Sequence, residues 1–380
     1  FQLAQVYRSQ ERLEEALVEL DRVLEVDEYN ADALNTAGYI ATQLGDNDKG
    51  REYYTRYLQI TPDAAAVRRR IAYDIYTAGD PEGAMTLLEE GLGDDADIGI
   101  YSDYGTYAFN TAREKLEAAG IDPSQEGQTV PADVEELYRT AIGALERVYE
   151  EQGDSALPSA LRNVVVARIQ LGELAEAEAF GRRISQTFPE EEGVWVSYAQ
   201  ALQLQDKVDD AIAAWSEVER INPDYPNLFT RQANLLLAAD RRDDAIGLLR
   251  QAVAKGTDPT VAARLIFADA HGKGVAPEQK NYGYALDGFL AAKEFEPDQM
   301  TTQMLNFWHG YVRYEQGRRA AAPETAAAAR QALPLFQEAK TQFNASREYA
   351  ASQSAFSLQQ FLDATDQFIE IQQLLIESGR

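Results

Sequence analysis

Chemistry in this chain has little to draw on except carboxylates. Asp and Glu number 63, whereas there are two histidines, His271 and His309, and no cysteine. Without thiols there is no disulfide, thiolate metal site, cysteine nucleophile or iron–sulfur cluster. Two histidines far apart in sequence give almost no material for a Ser–His–Asp set or a His-rich metal centre. Carboxylates alone could form an acid–base pair, but at this abundance they read as solvated helix faces. His271 stands in Ala-His-Gly-Lys-Gly at an expected helix end, and His309 follows Trp308 as an expected packed side chain. The run Gly272-Lys273-Gly274-Val275 looks like a phosphate loop, yet it lacks the Walker spacing, a Ser or Thr after the lysine, and a preceding strand. Asp94-Asp95-Ala96-Asp97 lacks the glycine and distal glutamate of a calcium loop and reads as a turn. Asn344-Ala345-Ser346 is a glycosylation sequon, meaningful only in a glycosylating compartment. The reading is of a non-enzymatic protein with no catalytic residue, no metal site and no cofactor.

Charge narrows the partners. With 35 basic and 63 acidic side chains, the net charge is 35 − 63 = −28. Such a surface repels phosphate backbones and anionic lipid heads, so nucleic acid is not an expected partner. No apolar run approaches a membrane span. Only eight of the bases are lysine, a balance that suits a saline environment. The sequence opens at Phe1, not Met. Removal of a signal peptide would fit, as would a sequence that starts downstream of the natural one. Together with the missing cysteine this favours an exported protein, periplasmic or extracellular, over a cytoplasmic one. Apolar residues at 45% allow a sizeable core.

The elements that would carry these residues follow a 34-residue ruler. Pro189 and Pro223 are 34 apart, and Pro62 precedes Pro189 by three periods plus 25 residues. The surplus falls around a Gly/Pro/Gln-rich stretch, Gly120 to Pro131. Small residues keep the register in pairs twelve apart: Ala4/Ala16, Gly38/Gly50, Ala72/Ala84, Ala199/Ala211 and Ala233/Ala245. A large residue recurs four positions on, as Leu20, Tyr54, Leu88, Trp215 and Leu249. Two antiparallel helices approach closely only where facing side chains are small, and the large ones fill the space between hairpins. Leu44-Gly45-Asp46, Ala78-Gly79-Asp80 and Leu171-Gly172-Glu173 place glycine after one helix and an acid at the start of the next.

This pattern resembles the tetratricopeptide repeat family. The segment 192–225 carries it best, with Trp195, Tyr198, Ala199, Leu202, Ala211, Trp215, Val218 and Pro223 at the signature positions. Segments 31–64, 65–98, 158–191 and 226–259 follow. Residues 1–30 resemble a repeat without the start of its first helix, 98–153 one with an insertion near 110–133, and 260–297 an irregular repeat. The Gly-Lys-Gly run resembles the turn of the related Sel1-type repeats. The resemblance implies an all-α fold, a right-handed superhelical α-solenoid of helical hairpins. It divides the chain into about eight repeats over 1–297 and a C-terminal helical region, 298–380. In that region Ala320 to Ala332 is helix-prone, with interruptions expected at Pro323 and Pro334. Phe356, Phe361, Leu362, Thr365, Phe368, Ile369 and Leu375 trace an amphipathic capping helix.

The family's usual activity is to bind a protein or peptide in a concave groove lined by first helices. Carried onto this sequence, the groove positions include Asn35, Tyr39, Gln43, Arg69, Tyr73, Tyr76, Ser102, Thr106, Phe109, Asn110, Arg162 and Gln200. Among them Tyr39, Arg69, Tyr73, Tyr76 and Phe109 make an aromatic group around an arginine, the residue types that dominate binding hot spots. The Asn/Lys set with which chaperone-binding relatives hold a C-terminal carboxylate is not reproduced. A structural subunit is the alternative. Leu3, Val6 and Tyr7 at the first hairpin, and Phe361 and Phe368 in the last helix, would join copies end to end as a homo-oligomer, filament or larger extracellular assembly.

Overall fold

The structure is a computed structural model that describes residues 1–123, 128–276, 278, 280–354 and 357–379. Among these residues there are twenty α-helices, one 3₁₀ turn and no strand. Phe356 and residues 124–127 of the expected insertion lie outside the described residues. The chain forms two compact units, Phe1–Pro223 and Asp224–Arg380.

The first unit is a run of six hairpins: α1 (Gln2–Ser9) with α2 (Leu13–Val26), α3 (Ala31–Gln43) with α4 (Asn47–Ile60), α5 (Ala65–Thr77) with α6 (Pro81–Glu89), α7 (Ile98–Ala119) with α8 (Ala132–Gln152), α9 (Pro158–Gln170) with α10 (Leu174–Thr187), and α11 (Glu192–Gln203) with α12 (Val208–Ile221). Each helix packs on its neighbours along the chain, and the small-residue pairs twelve apart are the closest places. Ala72, Ala84, Ala199 and Ala211 are fully buried. A side chain on Gly50 would strike the Thr42 methyl at 2.6 Å. Large residues between hairpins, such as Leu20, Leu88 and Trp215, have no exposure.

One backbone feature recurs with the period. Glu11, Gly45, Gly79, Gly172, Asp206 and Asp240 all have positive φ, between 55° and 91°. At each, the next residue's N–H returns to a carbonyl five positions back, as Asp46 to Ala41 at 2.9 Å and Arg241 to Leu236 at 2.8 Å. That left-handed step and bond close the first helix and turn the chain into the second. An acid then caps the second helix in two cases: Asp46 accepts from the Lys49 N–H and Asp80 from the Gly83 N–H.

The α7–α8 hairpin takes up the surplus residues differently from a pure loop insertion. α7 has 22 residues and α8 has 21, against 13 and 14 for α3 and α4. Much of the addition lengthens both helices, and a core of Tyr138, Ala141, Leu145 and Val148 runs along them.

The second unit comprises α13 (Leu228–Ala238) with α14 (Arg242–Ala254), α15 (Pro259–Gly274) with α16 (Tyr282–Lys293), α17 (Gln299–Ala321) with α18 (Ala326–Asn344), the short α19 (Arg347–Ala351), and α20 (Leu358–Ser378). Gly272, Lys273 and Gly274 are the last turn of α15, not a loop. A Cβ at Gly274 would stand 2.5 Å from that of Ala285, so this glycine lets α15 and α16 touch. Pro323 separates α17 from α18, as expected, but Pro334 does not interrupt. It lies inside α18, where it removes one backbone bond. Burial of Phe336, Ala339 and Phe343 just beyond it holds the helix together. α20 covers α18: Leu362 is buried, and the Phe368 ring stacks on Phe336 at 4.9 Å.

Candidate functional site

Within the first unit, the first helices of three successive hairpins form a recess of about 530 Å³. From α7 it takes Ser102, Asp103, Thr106, Phe109, Asn110 and Arg113. From α9 and the residue before it come Leu157, Ala160, Arg162, Asn163 and Val166, and α11 supplies Val196, Ser197 and Gln200. The periodicity explains the convergence. Residues at the same positions of successive first helices stack into one surface, because each hairpin repeats the orientation of the last.

The recess combines three kinds of surface. Leu157 is 63% exposed and, with Val166 and Val196, gives an apolar patch. Asn110, Asn163 and Gln200 offer amides that both donate and accept. Charge is carried by Arg113, Arg162 and Asp103. Asp103 is already engaged: Arg69 of α5 donates to it through Nε at 2.6 Å and a terminal nitrogen at 3.3 Å. That hydrogen bond, partly opposed by burial, raises the Arg69 guanidinium above its ordinary value. Arg162 runs past Gly193 at the start of α11, where a Cβ would meet its guanidinium nitrogen at 2.8 Å.

The residues expected to form the aromatic groove are distributed. Phe109 lines the recess, although only 5% of it is exposed. Tyr39 lies on a different recess, of about 910 Å³, with Arg8, Asn35 and Gln43. Tyr73 is 55% exposed on α5. Tyr76 stacks on Tyr107 of the next hairpin at 4.1 Å, and burial pushes the Tyr107 hydroxyl up to about 12. Arg69 spends its guanidinium on Asp103. Its neighbour Arg68, which sequence reasoning passed over, is buried and donates to the carbonyls of Leu87 at 2.8 Å and Pro62 at 2.9 Å.

Of the residues expected to join copies, Leu3 and Val6 are about half exposed on α1, and Tyr7 packs against the core with Arg12 over its ring at 4.4 Å. Phe361 and Phe368 turn inward and pack within the second unit, on Phe343 and Phe336. The apolar residues that α20 shows to solvent are Ile371 and Leu374.

The two histidines are packed side chains of the second unit. His271 meets the Trp308 ring edge-on at 4.3 Å, and burial lowers its pKa. His309 lies between Glu338, at 2.7 Å from Nε2, and Lys293, at 3.2 Å from Nδ1. Asp97 caps α7 by accepting from the Gly99 N–H, and the Asp94 carbonyl accepts from Arg147. Among the described residues no group of three or more His, Asp or Glu could hold a metal ion, and no helix is long and apolar enough to cross a membrane.

Residues 1–65 match the sequence model of the tetratricopeptide repeat. Protein CTR9 homolog of Arabidopsis thaliana is 33% identical over 125 residues, which is 31% of this chain and 11% of that protein. Among solved structures, YrrB, described as a TPR protein with an unusual peptide-binding site, aligns with 56% of this chain and 97% of its own at 12% identity and a TM-score of 0.42. A tetratricopeptide repeat protein from Parabacteroides merdae aligns with 72% of this chain and 96% of its own at 15% identity and a TM-score of 0.38.

Proposed function

We propose that this chain, whose described residues fold into successive helical hairpins and whose residues 1–65 match the tetratricopeptide repeat model, is a non-catalytic scaffold that binds a protein partner by holding an extended segment of it in the recess of α7, α9 and α11. The observation that carries this reading is the lining itself. Three parallel first helices present amides, an apolar patch and guanidinium groups side by side, a mixture suited to peptide backbone and side chains together.

Photo-crosslinking tests it. With p-benzoylphenylalanine at Asn163 in the recess, one discrete partner adduct is expected. The same group at Ala213, exposed on α12, should give none. Equal labelling from both positions sinks the reading.

Self-association end to end is the second reading. It rests on the exposed Leu3 and Val6 of α1 and on Ile371 and Leu374 of α20, because half-exposed apolar side chains gain by burial. Screening of the −28 net charge should favour it as salt rises. Sedimentation from 0.05 to 1 M salt should show growing mass that Leu3→Asp reduces, and monomer throughout excludes it for this chain.

A further inference from the structure

We infer that the segment held by the α7–α9–α11 recess is acidic, with two carboxylates that pair with Arg113 and Arg162; this rests on the peptide-binding reading of the same site. Acids outnumber bases 63 to 35 in the chain, and many arginines of the unit are paired with them: Arg139 meets Glu135 and Glu173, Arg168 meets Glu146 and Glu173, and Arg220 meets Glu190 and Glu217. Arg113 and Arg162 are both exposed, and neither makes a hydrogen bond or ion pair with another described residue. Both line the same recess. The one carboxylate there, Asp103, is matched by Arg69. The recess is therefore a locally cationic place on a strongly anionic protein.

That local sign outweighs the net charge at contact range. At physiological ionic strength the reach of each charge falls to about 8 Å, so a segment inside the recess senses the lining first. A guanidinium takes a carboxylate through two parallel N–H bonds, which fixes position as well as sign. The segment accordingly carries at least two carboxylates, one for each arginine, with an apolar residue nearby for Leu157 and Val196.

Fluorescence anisotropy of the full chain provides the test. One probe is a fluorescein-labelled ten-residue peptide alternating glutamate and serine around a central leucine. The second has glutamine in place of each glutamate. The acidic peptide is expected to bind at least tenfold more tightly. Arg113→Gln with Arg162→Gln should remove that preference and leave the glutamine peptide unaffected. Arg330→Gln, an exposed arginine of the second unit, should change neither. Equal affinity for the two peptides, both displaced by tryptophan at Asn163, overturns the acidic preference and leaves the peptide site standing. A preference lost equally in the Arg330→Gln protein assigns it to nonspecific charge and overturns the inference. Binding of neither peptide at millimolar concentration overturns the inference together with the peptide-binding reading.

Discussion

The ring of Tyr54 occupies the space in front of Gly38: a Cβ on that glycine would stand 2.7 Å from two of the ring carbons. The small residue of one helix and the large residue of its partner are thus fitted to each other, and the repeat depends on the fit. Gly38→Ala should destabilise the first unit by about 1–2 kcal/mol, since overpacking costs ~1–3 kcal/mol and alanine returns up to ~1 kcal/mol of helix propensity. On a Tyr54→Leu background the same change should become neutral or stabilising. Urea unfolding of the four proteins reads the coupling, and additive effects would mean that the ring moves aside freely.

Asp103 is predicted to restrain the recess. Asp103→Asn leaves Arg69 without its carboxylate partner and adds a third cation to the surroundings of Arg113 and Arg162. Affinity for the glutamate–serine peptide should rise severalfold, and stability should fall by no more than about 1 kcal/mol, as for other partly exposed pairs. Weakened acidic-peptide binding would place that peptide elsewhere.

Asp206 adopts φ 55° at a position where the equivalent turns of three other hairpins have glycine. An L side chain costs about 1–2 kcal/mol in the left-handed region, and glycine costs about 0.5–1 kcal/mol in the unfolded chain. Asp206→Gly is expected to stabilise the first unit by about 0.5 kcal/mol, seen as a raised urea midpoint at constant slope. A lowered midpoint would show that the side chain contributes more than its backbone strain.

Lys293 carries the clearest dependence on pH. Burial drives its ammonium down to about 8, and the charge of Glu338 opposes the shift. His309 on α17 and Gln342 on α18 contact it, with Arg313 bound to the same Glu338. The unfolded chain keeps its ordinary value of about 10.4. Between about 8 and 10.4 the folded state binds fewer protons than the unfolded one, so this group's contribution to stability rises with pH. Below about 8 its cost is fully present. Lys293→Met should therefore melt above the parent at pH 7, with the gap closing by pH 10. Comparing the two proteins cancels the tyrosines common to both, and a gap that stays constant would put the ammonium in solvent.

Much of this architecture was legible from spacing alone. The prolines and the alanine or glycine pairs twelve apart mark hairpins such as α3–α4, α5–α6 and α11–α12 because close helix contact tolerates only small side chains. Turns with glycine at positions 45, 79 and 172 were readable for the same kind of reason. The identical turns at Glu11, Asp206 and Asp240 were not, since those residue types do not announce a left-handed backbone. Pro334 misled because its effect depends on the burial of Phe336 and Phe343, which no local rule contains. The recess was half visible. Ser102, Thr106, Phe109, Asn110, Arg162 and Gln200 sit at groove positions, but Arg113 lies beyond the end of an ordinary first helix and reaches the recess only because α7 is 22 residues long. Arg69 and Asp103, 34 residues apart, could each be placed on the face, yet nothing in the spacing says that one neutralises the other.

Contacts between successive helices also give the chain a timetable. A ribosome adds about 5–20 residues per second, so a 34-residue hairpin emerges every ~2–7 s, whereas a helix forms in about a microsecond. Within a unit, each hairpin after the first finds its docking partner already present in the one before it. The bond from Arg147 to the Asp94 carbonyl spans 53 residues, about 3–11 s of synthesis at that rate. Among the described residues of each unit, core contacts join helices that lie near one another along the chain.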